Sequence, residues 1–253
     1  MRSFLVLSGV LSLVPTAVLG HGWVHRHILD AKTYIGYLPE SKPIFTDSAP
    51  SIVRRVGSDG PVLEIASNHI TCNYNATPIS DSGVSRTGSV TAGSNITFYW
   101  QGWPHSGPII TYMSRCTPDC STFFGNESAS WFKIDEFGYQ APPGGSVALW
   151  GTQQLDTQKY YWNVTVPKCL EDGEYLVRHE IIALSDCKSK GKCQFYPSCA
   201  QVKVIGGGGV EPSGSGLVKI PGVYTDANVY WDTNTMDPKG YVIPGPDVWK
   251  CPT

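Results

Sequence analysis

Tyr175-Leu-Val-Arg-His-Glu-Ile-Ile-Ala-Leu184 is the stretch that decides the fold. Side chains of an extended chain alternate between two faces. Tyr175, Val177, His179, Ile181 and Ala183 therefore share one face, and the segment reads as a strand. Outward from it, Lys159-Tyr-Tyr-Trp-Asn-Val-Thr-Val166, Ser146-Val-Ala-Leu-Trp150 and Trp131-Phe-Lys-Ile-Asp135 are rich in aromatic and β-branched residues, the composition of strands. Ser89 to Trp100 reads as a turn feeding a strand, and Cys199 to Ile205 as a last one. Pro/Gly clusters such as Ala141-Pro-Pro-Gly-Gly145 separate them. Short strands at intervals with turn signals predict an all-β, antiparallel sandwich without any helix of four turns.

The chain has 253 residues. Arg2 followed by the apolar run Leu5 to Val18 has the form of a signal peptide, and Val18 and Gly20 suit cleavage after Gly20. That run is too short and interrupted to span a bilayer. Residues 1–20 are thus expected to be removed, leaving a secreted, soluble, extracellular chain. About 230 residues remain, which suits one domain over 21–253. The formal net charge is -2 and no Lys/Arg run stands out. Nucleic acid and anionic membranes are disfavoured as partners, and an uncharged substrate fits better. A monomer is expected.

Eight cysteines (Cys72, Cys116, Cys120, Cys169, Cys187, Cys193, Cys199 and Cys251) in an exported chain predict four disulfides. Spacing leaves roughly a hundred connectivities. Cys116 with Cys120 and Cys187 with Cys193 could close local loops. A zinc site is disfavoured, because no C-x2-C pair exists. Sequons at Asn75, Asn95, Asn126 and Asn163 mark candidate glycosylation sites. The glycine-rich stretch Gly206 to Gly216 resembles a linker, but the 37 residues after it are too few for an unstapled domain. Cys251 is expected to tie that tail back, making the stretch a surface loop.

Cleavage after Gly20 would make His21 the first residue. A free α-amine, with an ordinary pKa near ~8, can lose its proton to a metal at neutral pH. Amine and imidazole Nδ1 of one residue then chelate one ion. A second imidazole completes three nitrogens in a plane, an arrangement suited to copper(II). Among possible partners, His25 and His27 lie too close along an extended chain and are expected to face solvent. His179 reads as a hydrogen-bonded core histidine, and His69 has no distinguishing context. His105 sits in Gly102-Trp-Pro-His-Ser-Gly-Pro108, a proline-stiffened loop, and is the best partner. Gln194 and Tyr196 project to one face of an extended segment. A phenol can be a weak axial ligand and the amide can hydrogen-bond it, so both are candidate catalytic residues. No H-E-x-x-H or G-x-S-x-G motif occurs. Most of the carboxylates Asp135, Glu136, Asp156, Glu171, Asp172 and Glu180 are expected to be solvated surface charges, with no pair set for glycoside hydrolysis.

The residues together resemble the fungal lytic polysaccharide monooxygenases of auxiliary activity family 9, once classed among the glycoside hydrolases. The resemblance is carried by His21-Gly22 after the leader, Trp103-Pro-His105-x-Gly-Pro-Ile-Ile-x-Tyr112 and Trp131 to Asp135. It continues through Gly173 to Leu184, Gln194-Phe-Tyr-Pro-x-Cys199 and Tyr241-x-Ile-Pro-Gly-Pro-Asp-Val-Trp249. It implies an immunoglobulin-like β-sandwich whose long loops form a flat face around one copper ion. His21 and His105 would supply three nitrogens, Tyr196 the axial position, and Gln194 a hydrogen bond behind it. Tyr241 would lie on the flat face as a substrate-binding aromatic. The resemblance further implies Cys72–Cys199 and Cys116–Cys120, which leaves Cys187–Cys193 and Cys169–Cys251.

The implied reaction is oxidative cleavage of cellulose or a related β-linked polysaccharide. It would use O2 or H2O2 and an external electron donor, with no separate carbohydrate-binding module. One departure stands out. Where the family usually has a histidine that donates a hydrogen bond or proton during oxygen activation, this chain has Ser185. Cys187 and Cys193 lie in the same loop, where the family generally has neither. Copper binding is expected to survive while oxygen activation is weakened or rerouted. Two rivals follow: a non-catalytic copper- or polysaccharide-binding protein on this scaffold, and a hydrolytic glycosidase.

Overall fold

A computed structural model of the protein describes residues 22–36, 51–103, 105–126 and 129–252. The expected leader and His21 lie outside the described residues. In chain order the strands are β1 (Val24–Leu29), β2 (Lys32–Ile35), β3 (Ser80–Asp81), β4 (Val84–Ser85), β5 (Gly88–Thr91), β6 (Asn95–Trp100) and β7 (Ile109–Arg115). They continue as β8 (Phe132–Phe137), β9 (Tyr139–Gln140), β10 (Leu149–Trp150), β11 (Tyr161–Thr165), β12 (Gly173–Ala183) and β13 (Gln194–Ile205). Short helices α1 (His69–Cys72), α2 (Gly151–Thr157) and α3 (Asp226–Val229) sit in the connections.

Two sheets form the sandwich, one in the order β11-β6-β1-β2 and the other β5-β13-β12-β7-β8. Their pairings are antiparallel except β5 with β13, which run parallel. The expected turn at Ser89 is therefore itself part of a strand, and Ala92–Ser94 carries the chain from one sheet to the other. The deciding stretch is the centre of the larger sheet, paired along β13 on one side and β7 on the other. Its Tyr175, Val177, Ile181 and Ala183 meet Leu29, Phe98, Trp162 and Val164 between the layers. Burying one such Phe or Leu stabilises the fold by ~1.5–3 kcal/mol. His179 belongs to the same face, stacked on Phe98 with ring centroids 4.0 Å apart, and its Nδ1 is 2.8 Å from Thr111 Oγ1.

The opposite face of β12 is also buried, because the segments around 62–72 and 218–229 cover it with Val62, Ile70, Ile220, Tyr224 and Val229. This corrects the expectation for Glu180, which is no surface charge. Alternation fixes which face a side chain takes, not whether that face meets water. Arg178 Nη2 donates to Glu180 Oε2 at 2.7 Å and to Ile70 O at 2.8 Å, Nε donates to Thr71 O at 2.8 Å, and the Tyr224 hydroxyl donates to Glu180. A charge pair out of water needs such partners to offset its lost hydration. Asp135 is likewise no ordinary surface acid: burial raises its carboxyl to about 6, and Trp162 Nε1 donates to it at 2.8 Å.

Disulfides join Cys72–Cys199, Cys116–Cys120, Cys169–Cys251 and Cys187–Cys193. The glycine-rich stretch lies on the β11–β12 connection: Val210 N–H donates to Cys169 O at 2.8 Å, and Gly207 N–H to Asp172 Oδ1 at 2.7 Å. A Cβ at Gly207 would stand 1.8 Å from Leu170 O, so only glycine permits this approach. Ser146–Trp150 is not a full strand. Only Leu149–Trp150 pairs, and the chain then turns into α2. Among the described residues no helix is long and apolar enough to cross a membrane.

Candidate metal centre

Three chain segments meet at one end of the sandwich. The first leaves β6 at Trp100 and enters β7 at Ile109, carrying His105. It is pinned by Gly107, whose N–H donates to Thr152 Oγ1 at 3.0 Å and whose carbonyl accepts from Thr152 N–H at 3.2 Å. A Cβ on Gly107 would sit 1.8 Å from Ile182 O, so glycine is what lets this loop lie on the end of β12. The second segment follows β12 with Ser185 and Asp186. The Cys187–Cys193 disulfide then returns the chain into β13, which begins with Gln194.

His105 Nδ1 lies 3.0 Å from Ser185 Oγ and 2.9 Å from Asp186 Oδ2. That carboxylate oxygen is buried and receives no well-aligned hydrogen bond, and the imidazole Nδ1 is the polar group facing it. An anionic oxygen there favours the tautomer with the proton on Nδ1. Nε2 is then the unprotonated ring nitrogen, the kind that ligates metals. Ser185, standing where a longer titrating side chain was expected from the resemblance, is thus turned onto the back of His105.

Trp103 is buried and touches both candidate ligands, its ring edge-on to His105 at 5.5 Å and to Tyr196 at 4.5 Å. The Tyr196 hydroxyl donates to Gln194 Oε1 at 2.7 Å. Phe195 points the other way, into the outer core. Burial, aided by the carboxylates of Asp186 and Asp59, pushes the Tyr196 phenol well above its ordinary pKa. It stays neutral, as a weak ligand would. Gly22 closes the group: it is buried, and a Cβ there would meet Trp103 Cε3 at 2.8 Å and Gln101 O at 3.1 Å.

His105, Tyr196 and Gln194 are therefore brought together, whereas His21 lies outside the described residues. Tyr241 stands apart from them. Its half-buried ring is wedged edge-on between Trp150 at 5.3 Å and Trp231 at 5.7 Å, and its hydroxyl is buried without a hydrogen-bond partner. Trp150 leads directly into α2, whose Thr152 grips the His105 loop, so Tyr241 is linked to the site through that wall. His27 overturns its expectation of facing solvent: it is fully buried, edge-on to Phe98 at 5.1 Å. His25 is half-buried beside Tyr99, and His69 packs on Tyr74. Sequence reasoning gave no role to Asp186 or Trp103. A carboxylate directly after Ser185 and an indole two residues before His105 were the available signals.

The donors present can be weighed against metal chemistry. All eight cysteines are bridged, which removes thiolate ligation. Among the described residues no cluster of three or more His, Cys, Asp or Glu exists that could hold a metal alone. What remains is one imidazole nitrogen that this tautomer leaves unprotonated and one neutral phenol. This set suits nitrogen-ligated copper better than an oxygen-rich calcium or magnesium site.

The sequence profile of Auxiliary Activity family 9 (formerly GH61) matches residues 21–241. AA9 family lytic polysaccharide monooxygenase F of Botryotinia fuckeliana is 38% identical over 252 residues, spanning 96% of this chain and 98% of that one. AA9 family lytic polysaccharide monooxygenase B of Heterobasidion irregulare is 36% identical over 252 residues, spanning 98% and 99%. Among solved structures, HiLPMO9B superposes with a TM-score of 0.80 at 34% identity, covering 91% of this chain and 100% of that one. A cellulose-active polysaccharide monooxygenase from M. thermophila gives 0.76 at 32% identity, covering 91% and 99%. Fold and likeness together make the protein a β-sandwich monooxygenase. The chain belongs to auxiliary activity family 9, the lytic polysaccharide monooxygenases.

Proposed function

We propose that the protein is a secreted copper enzyme that oxidatively cleaves cellulose or a related β-glucan. The observation that carries this reading is the packing of Gly22 on Trp103, the ring that touches both His105 and Tyr196. Residue 21 directly precedes Gly22 in the sequence. Cleavage after Gly20 would give His21 a free amine in this position. Amine, His21 imidazole and His105 Nε2 would hold the copper, with the Tyr196 phenol as a further, weak ligand. Copper held there supplies one-electron redox chemistry that, with an external electron donor and O2 or H2O2, oxidises a carbon of the glycosidic linkage.

The chain's own residues do the rest. Asp186 and Ser185 hold His105 from behind, keeping its proton on Nδ1. Gln194 accepts a hydrogen bond from the Tyr196 hydroxyl and so holds the phenol in place. Trp103 fills the space between them and excludes water. Tyr241 offers a half-buried ring on which a sugar could pack, since aromatic faces suit the apolar faces of sugars. Residues 21–253 form one catalytic domain in this reading, acting as a monomer.

Mass spectrometry of products from the copper-loaded, trimmed protein on several glucans with ascorbate tests the proposal. Oxidised oligosaccharides, abolished by a chelator, are expected. Only unoxidised ends, persisting in chelator, would mean hydrolysis. Ser185 favours one second reading, a copper-binding protein without activity, because its short hydroxyl is engaged with His105. Copper uptake without any oxidised product would decide for that one.

A further inference from the structure

We propose that the outer face of the smaller sheet is a built glycan platform, on which an N-linked glycan at Asn163 packs its first sugar against Tyr161. This rests on the protein being exported, as proposed above. Two of the four sequons lie side by side here, Asn95-Ile-Thr97 on β6 and Asn163-Val-Thr165 on β11. The strands are antiparallel neighbours in a register that sets Asn95 opposite Thr165 and Thr97 opposite Asn163. Each sequon's threonine serves the other's asparagine: Thr97 Oγ1 donates to Asn163 Oδ1 at 2.7 Å, and Thr165 Oγ1 donates to Asn95 Oδ1 at 2.7 Å.

That exchange has a chemical consequence. Both amide oxygens are satisfied on the exposed sheet surface, and among the described residues nothing pairs with either Nδ2. The nitrogen that would carry a sugar is thus the atom left over. In the transfer, the bond from sugar C1 to the pyrophosphate of a lipid-linked oligosaccharide breaks and the Nδ2–C1 bond forms. The amide proton is lost, and the lipid pyrophosphate leaves. The finished amide still has its oxygen to accept the cross-strand hydroxyl, so modification and folding do not compete.

Asn163 is preferred over Asn95 because of what lies two residues before it. Tyr161 projects to the same face of β11 and is half-buried, at 5.8 Å and a 41° tilt to its cross-strand neighbour Tyr99. Arg26 covers Tyr99, with its guanidinium carbon 3.8 Å from the ring centroid. Tyr161 is therefore a braced aromatic surface next to the glycan root. Two residues before Asn95 stands Gly93, which offers no ring. Asn75 is exposed, but its Nδ2 sits over Gly57, where a Cβ would approach it to 2.8 Å. Asn126 is half-buried.

The test is the full chain secreted by a fungal host, with peptide mass mapping before and after enzymatic deglycosylation. Thermal melts would follow for the native protein and for Asn163→Gln, Tyr161→Ala and Tyr161→Thr. Asn163 should be occupied. Trimming to a single N-acetylglucosamine should preserve Tm, and removing that last sugar, or Asn163→Gln, should lower it by about 2–4 °C. In either Tyr161 variant, removing the sugar should change Tm by less than about 1 °C, since a contact already lost cannot be lost twice. An unmodified Asn163 in protein glycosylated elsewhere would overturn the proposal, as would an undiminished deglycosylation effect in both Tyr161 variants. A chain retained in the cell with its leader and without sugar on any sequon would instead sink the export reading.

Discussion

Replacing Asp186 with Asn keeps the size of the side chain and removes its charge from the back of His105. Carboxylates behind metal-bound histidines typically account for 10–100-fold in metal affinity. Two features put Asp186 at the low end. Its side chain is 35% exposed against 16% for His105, so solvent screens its charge, and Ser185 Oγ shares the same nitrogen at 3.0 Å. The expected loss is about tenfold in copper affinity, ~1.4 kcal/mol. Ser185→Ala, which removes a neutral hydrogen bond of ~0.5–1.5 kcal/mol, should cost less than Asp186→Asn. Competition titration against a chelator of known affinity reads both, and the Cu(II) electron paramagnetic spectrum reports whether the imidazole has rotated. If Asp186→Asn bound copper as tightly as the native chain while Ser185→Ala fell tenfold, the reasoning about the carboxylate would be refuted.

Ser185→His should raise the polysaccharide-cleaving rate by tenfold or more, since a positioned acid contributes typically 10²–10⁴-fold. An unchanged rate with copper bound would mean that oxygen activation does not need that group here. His27 is fully buried, and burial, with His25 adding to it, lowers its pKa from 6.5 to about 3. The unfolded chain therefore binds a proton that the folded chain refuses, and stability falls as pH drops from about 6.5 toward 3. His27→Leu should narrow the gap between melting temperatures at about pH 7 and pH 4, and a pH series of melts with an unchanged gap would contradict this. Tyr241→Ala should weaken cellulose binding about fivefold, for a ring contact of ~1 kcal/mol. Tyr241→Phe should bind as the native protein does and melt no lower, because the lost hydroxyl has no partner; pull-down isotherms and melts separate the two.

Much of the fold could be read before any coordinates. The alternation of Tyr175 to Leu184 predicts both the strand and the face that meets Phe98, and an even cysteine count in an exported chain predicts bridges. Other features follow from contacts that sequence does not display. His27 was expected outside because a regular strand would keep it on the side of His25. A bulge between Val24 and Arg26 leaves His25 and Arg26 both outward and turns His27 into the core. Glu180 and Arg178 read as a polar face, yet distant segments cover it. Helix α2 escaped notice because Ser146–Trp150 has strand-forming residues. The turn into the helix is made instead by Gln153, whose side chain accepts from Trp150 N–H at 2.9 Å. Residues 105 and 196 meet only because the ends of β12 and β13 bring their loops together. Their pairing was legible through family resemblance and not through spacing.

The central claim is that residue 21, with a free amine, joins His105 in holding one copper ion. Calorimetric titration of copper into protein whose first residue is confirmed as His21 tests it most directly. One equivalent should bind tightly to the trimmed chain, and His105→Ala or a single extra residue before His21 should each weaken binding at least a hundredfold. Equal affinity in all three proteins would contradict the account.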